Sequence, residues 1–181
     1  KTPIDVRRGD EIGMLATEKK LKVTVGHDSQ YTHAMRQMRE SVRDGYLGGN
    51  PVHMESYYCY ELGQAAYAKA LLGDKNHWIR TLPGQLLQNN INHGIARIVE
   101  MLQGDDPTVI AHGFTSEFLR GINESEIIDE LRVIINDNNK TTAYFTFSSQ
   151  MRPVLHQFRV YGPKNSIIVD HLNQTCIKVS G

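Results

Sequence analysis

The chain has 181 residues, 40% of them hydrophobic and 22% charged, with 20 Lys and Arg against 20 Asp and Glu and so no formal net charge at pH 7. At roughly 150 residues per domain that is one globular domain, and 15 Gly with 6 Pro, nowhere gathered into a tract, exclude collagen-like and low-complexity chains. A pI near 7.3 leaves no basic stripe for a general grip on nucleic acid, and no apolar run approaches the roughly 20 residues that span a bilayer, so neither partner is expected.

Asp5 to Lys20 is predicted as a helix, with Asp5 as N-cap and Ile12, Leu15, Ala16 and Lys19 on one face, weakened by Gly9 and Gly13. Lys22 to Val25 alternates into Gly26, the pattern of a short strand ending in a turn. From Tyr31, the spacing of Ala34, Met35, Met38 and Val42 gives an amphipathic helix that stops near Asp44-Gly45. Its Arg36, Arg39 and Arg43 alternate with Glu40 and Asp44, which describes a solvated face.

Gly48 to Pro51 is a turn, Val52 to Tyr60 an aromatic-rich strand, and Gln64 to Leu72 a short helix before the loop Gly73 to Asn76. Past Pro83-Gly84 comes the strongest helix. Its apolar stripe is Leu87, Ile91, Gly94/Ile95, Ile98 and Met101/Leu102, and Gly104-Asp105-Asp106-Pro107 ends it.

The second half alternates apolar and polar residues over 108–115, 127–135, 141–148, 154–161, 166–170 and 175–179. Short turn-rich connections imply hairpins, hence an α+β fold with a predominantly antiparallel sheet of about six or more strands and helices on one face. Ala143, Phe145 and Phe147 point one way; Thr142, Tyr144, Thr146 and Ser148 point the other. The second face is open to solvent or to a partner subunit.

Cys59 and Cys176 are the only cysteines and lack a CxxC spacing, so buried thiols in a reducing, cytoplasmic setting are expected. No strand runs into GxGxxG and no GxxxxGK[ST] occurs, so no cofactor-binding residues are expected in this chain. Eight histidines contain no HExxH, and no metal is expected. No GxSxG elbow supports serine hydrolysis. What remains is the line Asn89, His93, Arg97 at four-residue spacing on the strong helix, one face of which could line a pocket or simply meet water. Histidine suits proton transfer near neutral pH.

Leu82-Pro83-Gly84-Gln85-Leu86-Leu87-Gln88-Asn89-Asn90-Ile91-Asn92-His93 resembles the lead-in, Leu pair and D-x-x-x-H helix of the glucose-fructose oxidoreductase, inositol dehydrogenase and rhizopine-catabolism family. Val23 to Asp28 with Tyr31 is similar to that family's G-[HF]-N-x-R-[FY] turn, and Val42 to Gly48 with Pro51-Val52 to its R-x-G-x-L-G-x-P helix exit. Phe158 to Gly162 and Ser166 to Asp170 are similar to its closing hairpin, and Lys1-Thr2-Pro3 to the end of its E-K-P motif.

The resemblance implies that residues 1–181 are a C-terminal substrate-binding and oligomerisation domain, with 1–20 as a linking helix and a Rossmann domain expected upstream of Lys1. It implies NAD or NADP held mainly by that Rossmann domain, a sugar or polyol-like substrate, a homodimer or homotetramer through the open sheet face, and no activity for the domain alone. His93 would be the general acid/base, Lys1 would polarise the substrate oxygen, and Asn89 stands where the family has a carboxylate, unable to stabilise an imidazolium by charge. His27, Asp28, Tyr31 and Arg97 would contact substrate. Tyr58 is expected in core or interface packing, and Trp78 and Arg80 on a loop that closes over substrate. The alternative is a non-catalytic assembly or ligand-binding protein that retains the fold.

Overall fold

A computed structural model describes residues 6–62, 66–138 and 140–181. Helices α1 (Val6–Glu18), α2 (His33–Arg43), α3 (Ala66–Gly73) and α4 (Gln85–Val99) lie in the first part of the chain, with strand β1 (His53–Cys59) between α2 and α3. The second half holds β2 (Thr108–Phe114), a short helix α5 (Glu117–Gly121), and β3 (Glu130–Asn136), β4 (Thr142–Ser148), β5 (His156–Tyr161), β6 (Asn165–Asp170) and β7 (Thr175–Ser180). Among the described residues no helix is long and apolar enough to cross a membrane.

The seven strands form one sheet in the order β2-β3-β4-β1-β5-β6-β7. Two antiparallel runs, β2-β3-β4 and β5-β6-β7, follow the hairpin pattern of the sequence. Between them lies β1, antiparallel to β5 but parallel to β4. The expected meander is therefore split: the connection that carries α3 and α4 leads from β1 to β2 at the sheet edge, and β2, β3 and β4 then fold back until β4 lies beside β1 and parallel to it, since a long crossover can return a strand parallel where a hairpin cannot.

The pleat sorts the sheet as the alternation predicts. Leu131, Val133, Ile135, Ala143, Phe145, Phe147, Phe158, Val160, Ile167 and Val169 are buried on the inner face, together with Met35 and Met38 of α2 and Leu86, Leu87 and Ile98 of α4. On the outer face one register row runs across all strands, Ile110-Ile134-Tyr144-Glu55-Arg159-Ile168-Ile177, and Ile110, Ile134, Tyr144 and Ile177 are exposed. Ser148, expected on that open face, is instead covered, and its hydroxyl donates to Glu130 Oε1 at 2.8 Å.

Helix α4 lies over β1 and β4, and one close approach sets its height. A Cβ on Gly94 would overlap the Phe145 ring, 3.2 Å from Cδ2 and nearer still to Cε2. Ser56 of β1 donates its hydroxyl to the Gly94 carbonyl at 2.9 Å. A glycine and a serine thus let the helix backbone settle onto the sheet, and this contact fixes which helix face turns inward. The buried face comprises Leu86, Leu87, Asn90, Gly94, Arg97 and Ile98, so Arg97 belongs to the core side rather than to a separate polar line.

Two expectations need correction, and one element was missed. Residues 22–25 form no strand; the segment has no sheet partner, and Val23 and Val25 are exposed, so alternation alone did not suffice. Helix α5 gave no periodic signal in five residues, yet Ser116 caps it by accepting from the Leu119 N–H at 3.2 Å. Arg80 does not sit on a free lid: it donates to Leu71 O and to Glu124 Oε2, each at 2.9 Å, and Lys75 reaches the same carboxylate at 2.9 Å. The expected N-cap Asp5 lies outside the described residues.

Candidate functional site

At the C-terminal end of β1, on the helix-covered face, a cavity of about 680 Å³ opens between sheet and helices. The turn Asp28–Tyr31 and Thr32 form one wall, His93 and Arg97 of α4 another, and Tyr58, His156, His171 and Gln174 the sheet side. A second cavity of about 700 Å³, lined by His27, Gln30, Tyr31, Asn92, Ile95 and the Arg39–Glu100 pair, shares the Tyr31 ring with the first.

Four rings run in series through this region. His27 meets His93 edge-on at 5.4 Å, His93 stacks on Tyr58 at 5.8 Å and 10°, and Tyr58 stacks on His156 at 4.5 Å and 9°. The last contact follows from register, since Tyr58 and His156 are paired residues of β1 and β5. His156 Nε2 lies 2.7 Å from the Cys59 carbonyl, which can only accept, so that nitrogen carries the proton.

Burial governs the charges. The His93 pKa is lowered from 6.5, chiefly by burial and next by His27, with Asp28 opposing and Arg97 adding to the depression. His156 is lowered by burial, against the Cys59 bond. His171, in the turn between β6 and β7, is pushed to about 3 by burial, Arg97 and His156. Near neutral pH the site therefore presents neutral imidazoles that can donate at one nitrogen and accept at the other. Arg97 is pushed down to about 10 by burial, which still leaves it charged, and Tyr58 is raised by burial.

Of the residues singled out from the sequence, Asp28, Tyr31, His93 and Arg97 line one cavity. His27 contacts His93 but faces the neighbouring cavity. Asn89 is absent from the lining, and its Nδ2 lies 3.5 Å from Asn90 Oδ1. Lys1 lies outside the described residues. Tyr58 is part of the site rather than only packing, half-buried with one face on His93. His156, His171 and Gln174 were not anticipated, because only strand register and the β6–β7 turn bring them to the end of β1. Trp78 and Arg80 do not line the cavity. No group of three or more His, Cys, Asp or Glu is placed to hold a metal among the described residues.

By sequence the chain matches no family model and no curated protein. By structure it is similar to UDP-N-acetylglucosamine 3-dehydrogenase GnnA from Acidithiobacillus ferrooxidans, with TM-score 0.73 and 18% identity over 98% of this chain and 50% of that one. It is also similar to an inositol dehydrogenase homologue from Azotobacter vinelandii complexed with NADH and myo-inositol, with TM-score 0.77 and 13% identity over 98% of this chain and 45% of that one. A third likeness is to the WlbA dehydrogenase from Bordetella pertussis in complex with NADH and UDP-GlcNAcA, with TM-score 0.69 and 8% identity over 98% of this chain and 52% of that one. At such identities the shared property is the fold, and the structures that share it are oxidoreductases of the type the sequence resembles. The chain spans about half the length of each.

Proposed function

We propose that the chain is the substrate-binding domain of an NAD(P)-dependent oxidoreductase acting on a sugar or polyol-like compound. The observation that carries this reading is the placement of His93: a half-buried imidazole, neutral near pH 7, on a rigid helix at the wall of a polar cavity. Oxidising a secondary alcohol removes a proton from oxygen, and His93 is the residue positioned to accept it. A nicotinamide cofactor, when bound, supplies the acceptor for the hydrogen leaving carbon. The residues present fit the proton half of that chemistry and offer no Gly-rich phosphate loop, so the cofactor would rest mainly on a separate nucleotide-binding domain.

Tyr58 and His27 hold the His93 ring from two sides. With Asn89 outside the cavity lining, the carboxylate that favours the His93 imidazolium is Asp28. Lys1 is assigned to polarise the substrate oxygen, and the exposed outer sheet face to a homodimer or homotetramer contact. Full-length protein incubated with NAD or NADP and a panel of sugars and polyols should reduce one cofactor with at least one compound; no reduction with either cofactor contradicts the reading. A non-catalytic binding protein is favoured by one observation, the Asn89 position, and would bind a compound of the panel without turnover.

A further inference from the structure

Arg97 is completely buried, and its Nε, Nη1 and Nη2 have no hydrogen-bond partner among the described residues. A guanidinium out of water and without a counter-charge is costly, and folded proteins normally pair it. The carboxylates nearest the cavity do not serve. Asp28 stands exposed at the rim and accepts from the Ser29 N–H at 2.7 Å. Asp170 is held by the Leu172 and Asn173 N–H groups and by the Gln157 and Asn173 amides. Beside Arg97, His171 is 8% exposed, and neither of its ring nitrogens has a partner among the described residues. Two buried side chains thus face one cavity with unused donors and acceptors.

We propose that this cavity takes a substrate bearing an oxyanion, a sugar carboxylate or sugar phosphate, received by the fork of Arg97 with His171 hydrogen-bonded beside it. The inference rests on the substrate-domain reading above and narrows its substrate class. A guanidinium presents parallel N–H groups that match a carboxylate or phosphate edge two to two. Because Arg97 follows His93 by one helical turn, roughly 6 Å along the axis, the anion would anchor one end of a sugar ring while a hydroxyl across the ring meets the imidazole. A cavity of about 680 Å³ has room for such a monosaccharide.

The test is titration calorimetry of the full-length protein with D-glucuronate, D-glucose 6-phosphate and D-glucose, repeated with Arg97→Met and Arg97→Lys, alongside thermal unfolding of each. At least one anionic sugar should bind about tenfold or more tighter than glucose, as a charge-assisted bond predicts, and the acid that does so tells carboxylate from phosphate. Arg97→Met should erase that preference and melt no lower than the wild type, since it removes an unpaired buried charge. Arg97→Lys, which keeps the charge without the fork, should retain part of the preference and decides the matter if the Met variant does not fold. Equal affinities in the wild type, a preference surviving in Arg97→Met, a clear loss of Tm in an Arg97→Met variant that still folds, an undiminished preference in Arg97→Lys where it does not, or no binding of any probe overturns the proposal. Turnover of neutral polyols without anion preference overturns it while sparing the oxidoreductase reading; anion binding without turnover of any compound does the reverse.

Discussion

The rings of His93 and Tyr58 lie 5.8 Å apart and within 10° of parallel, one carried by α4 and the other by β1. A helix and a sheet share this stack, so the direction of the imidazole depends on how closely α4 sits on the strands beneath it. The Gly94–Phe145 contact sets that distance, one residue from His93.

Gly94→Ala should therefore act on both stability and site. The added methyl meets the Phe145 ring, and overpacking of this kind costs about 1–3 kcal/mol. Gly13→Ala, on exposed α1 with nothing within 4 Å of the new Cβ, should instead stabilise by about 0.5–1 kcal/mol. Urea denaturation of the two variants reads the contrast; equal effects would mean that α4 is free to shift.

With His93 as the proposed proton acceptor, a pH dependence of activity is expected. Its pKa lies below 6.5, so alcohol oxidation, which needs the neutral ring, should be near its plateau at pH 7 and fall only on further acidification. Asp28 works against that depression; Asp28→Asn should move the acid limb of kcat/KM to still lower pH. A limb that stays put or moves upward would remove Asp28 as the electrostatic partner.

Much of this was legible in the sequence, and the reasons differ by element. Helix α4 and the six strands of the second half show their own period, so local pattern sufficed. The place of β1 did not: its parallel partner β4 begins more than 80 residues later, and seven residues carry no mark of a partner so distant. Segment 22–25 alternates like a strand but finds no edge to join. Within the site, His93 was visible as a helix-borne histidine, whereas the burial of Arg97 was not. Arginine seldom goes fully inside, and only the approach allowed by Gly94 and Ser56 turns that face inward. His156 and His171 had no local signal, since a residue heading a strand and one in a tight turn become neighbours only through the register of β5 and β6.

His171 should make the fold sensitive to acid. Its folded pKa is about 3 against about 6.5 in an unfolded chain, so between those values the unfolded state binds the extra proton and stability falls as pH drops. His171→Leu should flatten the loss of Tm between pH 7 and pH 4; an unchanged slope would place the acid sensitivity elsewhere.

Glu124 is a structural pair partner, not part of a lid. Arg80 and Lys75 hold its pKa down to about 2, so its contribution is complete above about pH 4.5 and is lost as pH falls toward 2. Glu124→Gln should cost on the order of 3 kcal/mol at pH 7 by leaving Arg80 unpaired, with sugar binding unchanged because none of the three residues lines the cavity. Weakened binding in that variant would restore a functional role for the Arg80 loop.

The assignment of His93 as acid/base is tested most directly by comparing turnover of full-length wild-type protein and His93→Ala with saturating cofactor and the best compound of the panel. A fall of about 100-fold or more in kcat with substrate affinity largely kept is expected for loss of a proton acceptor. An undiminished kcat would contradict the assignment and leave the cavity as a binding site alone.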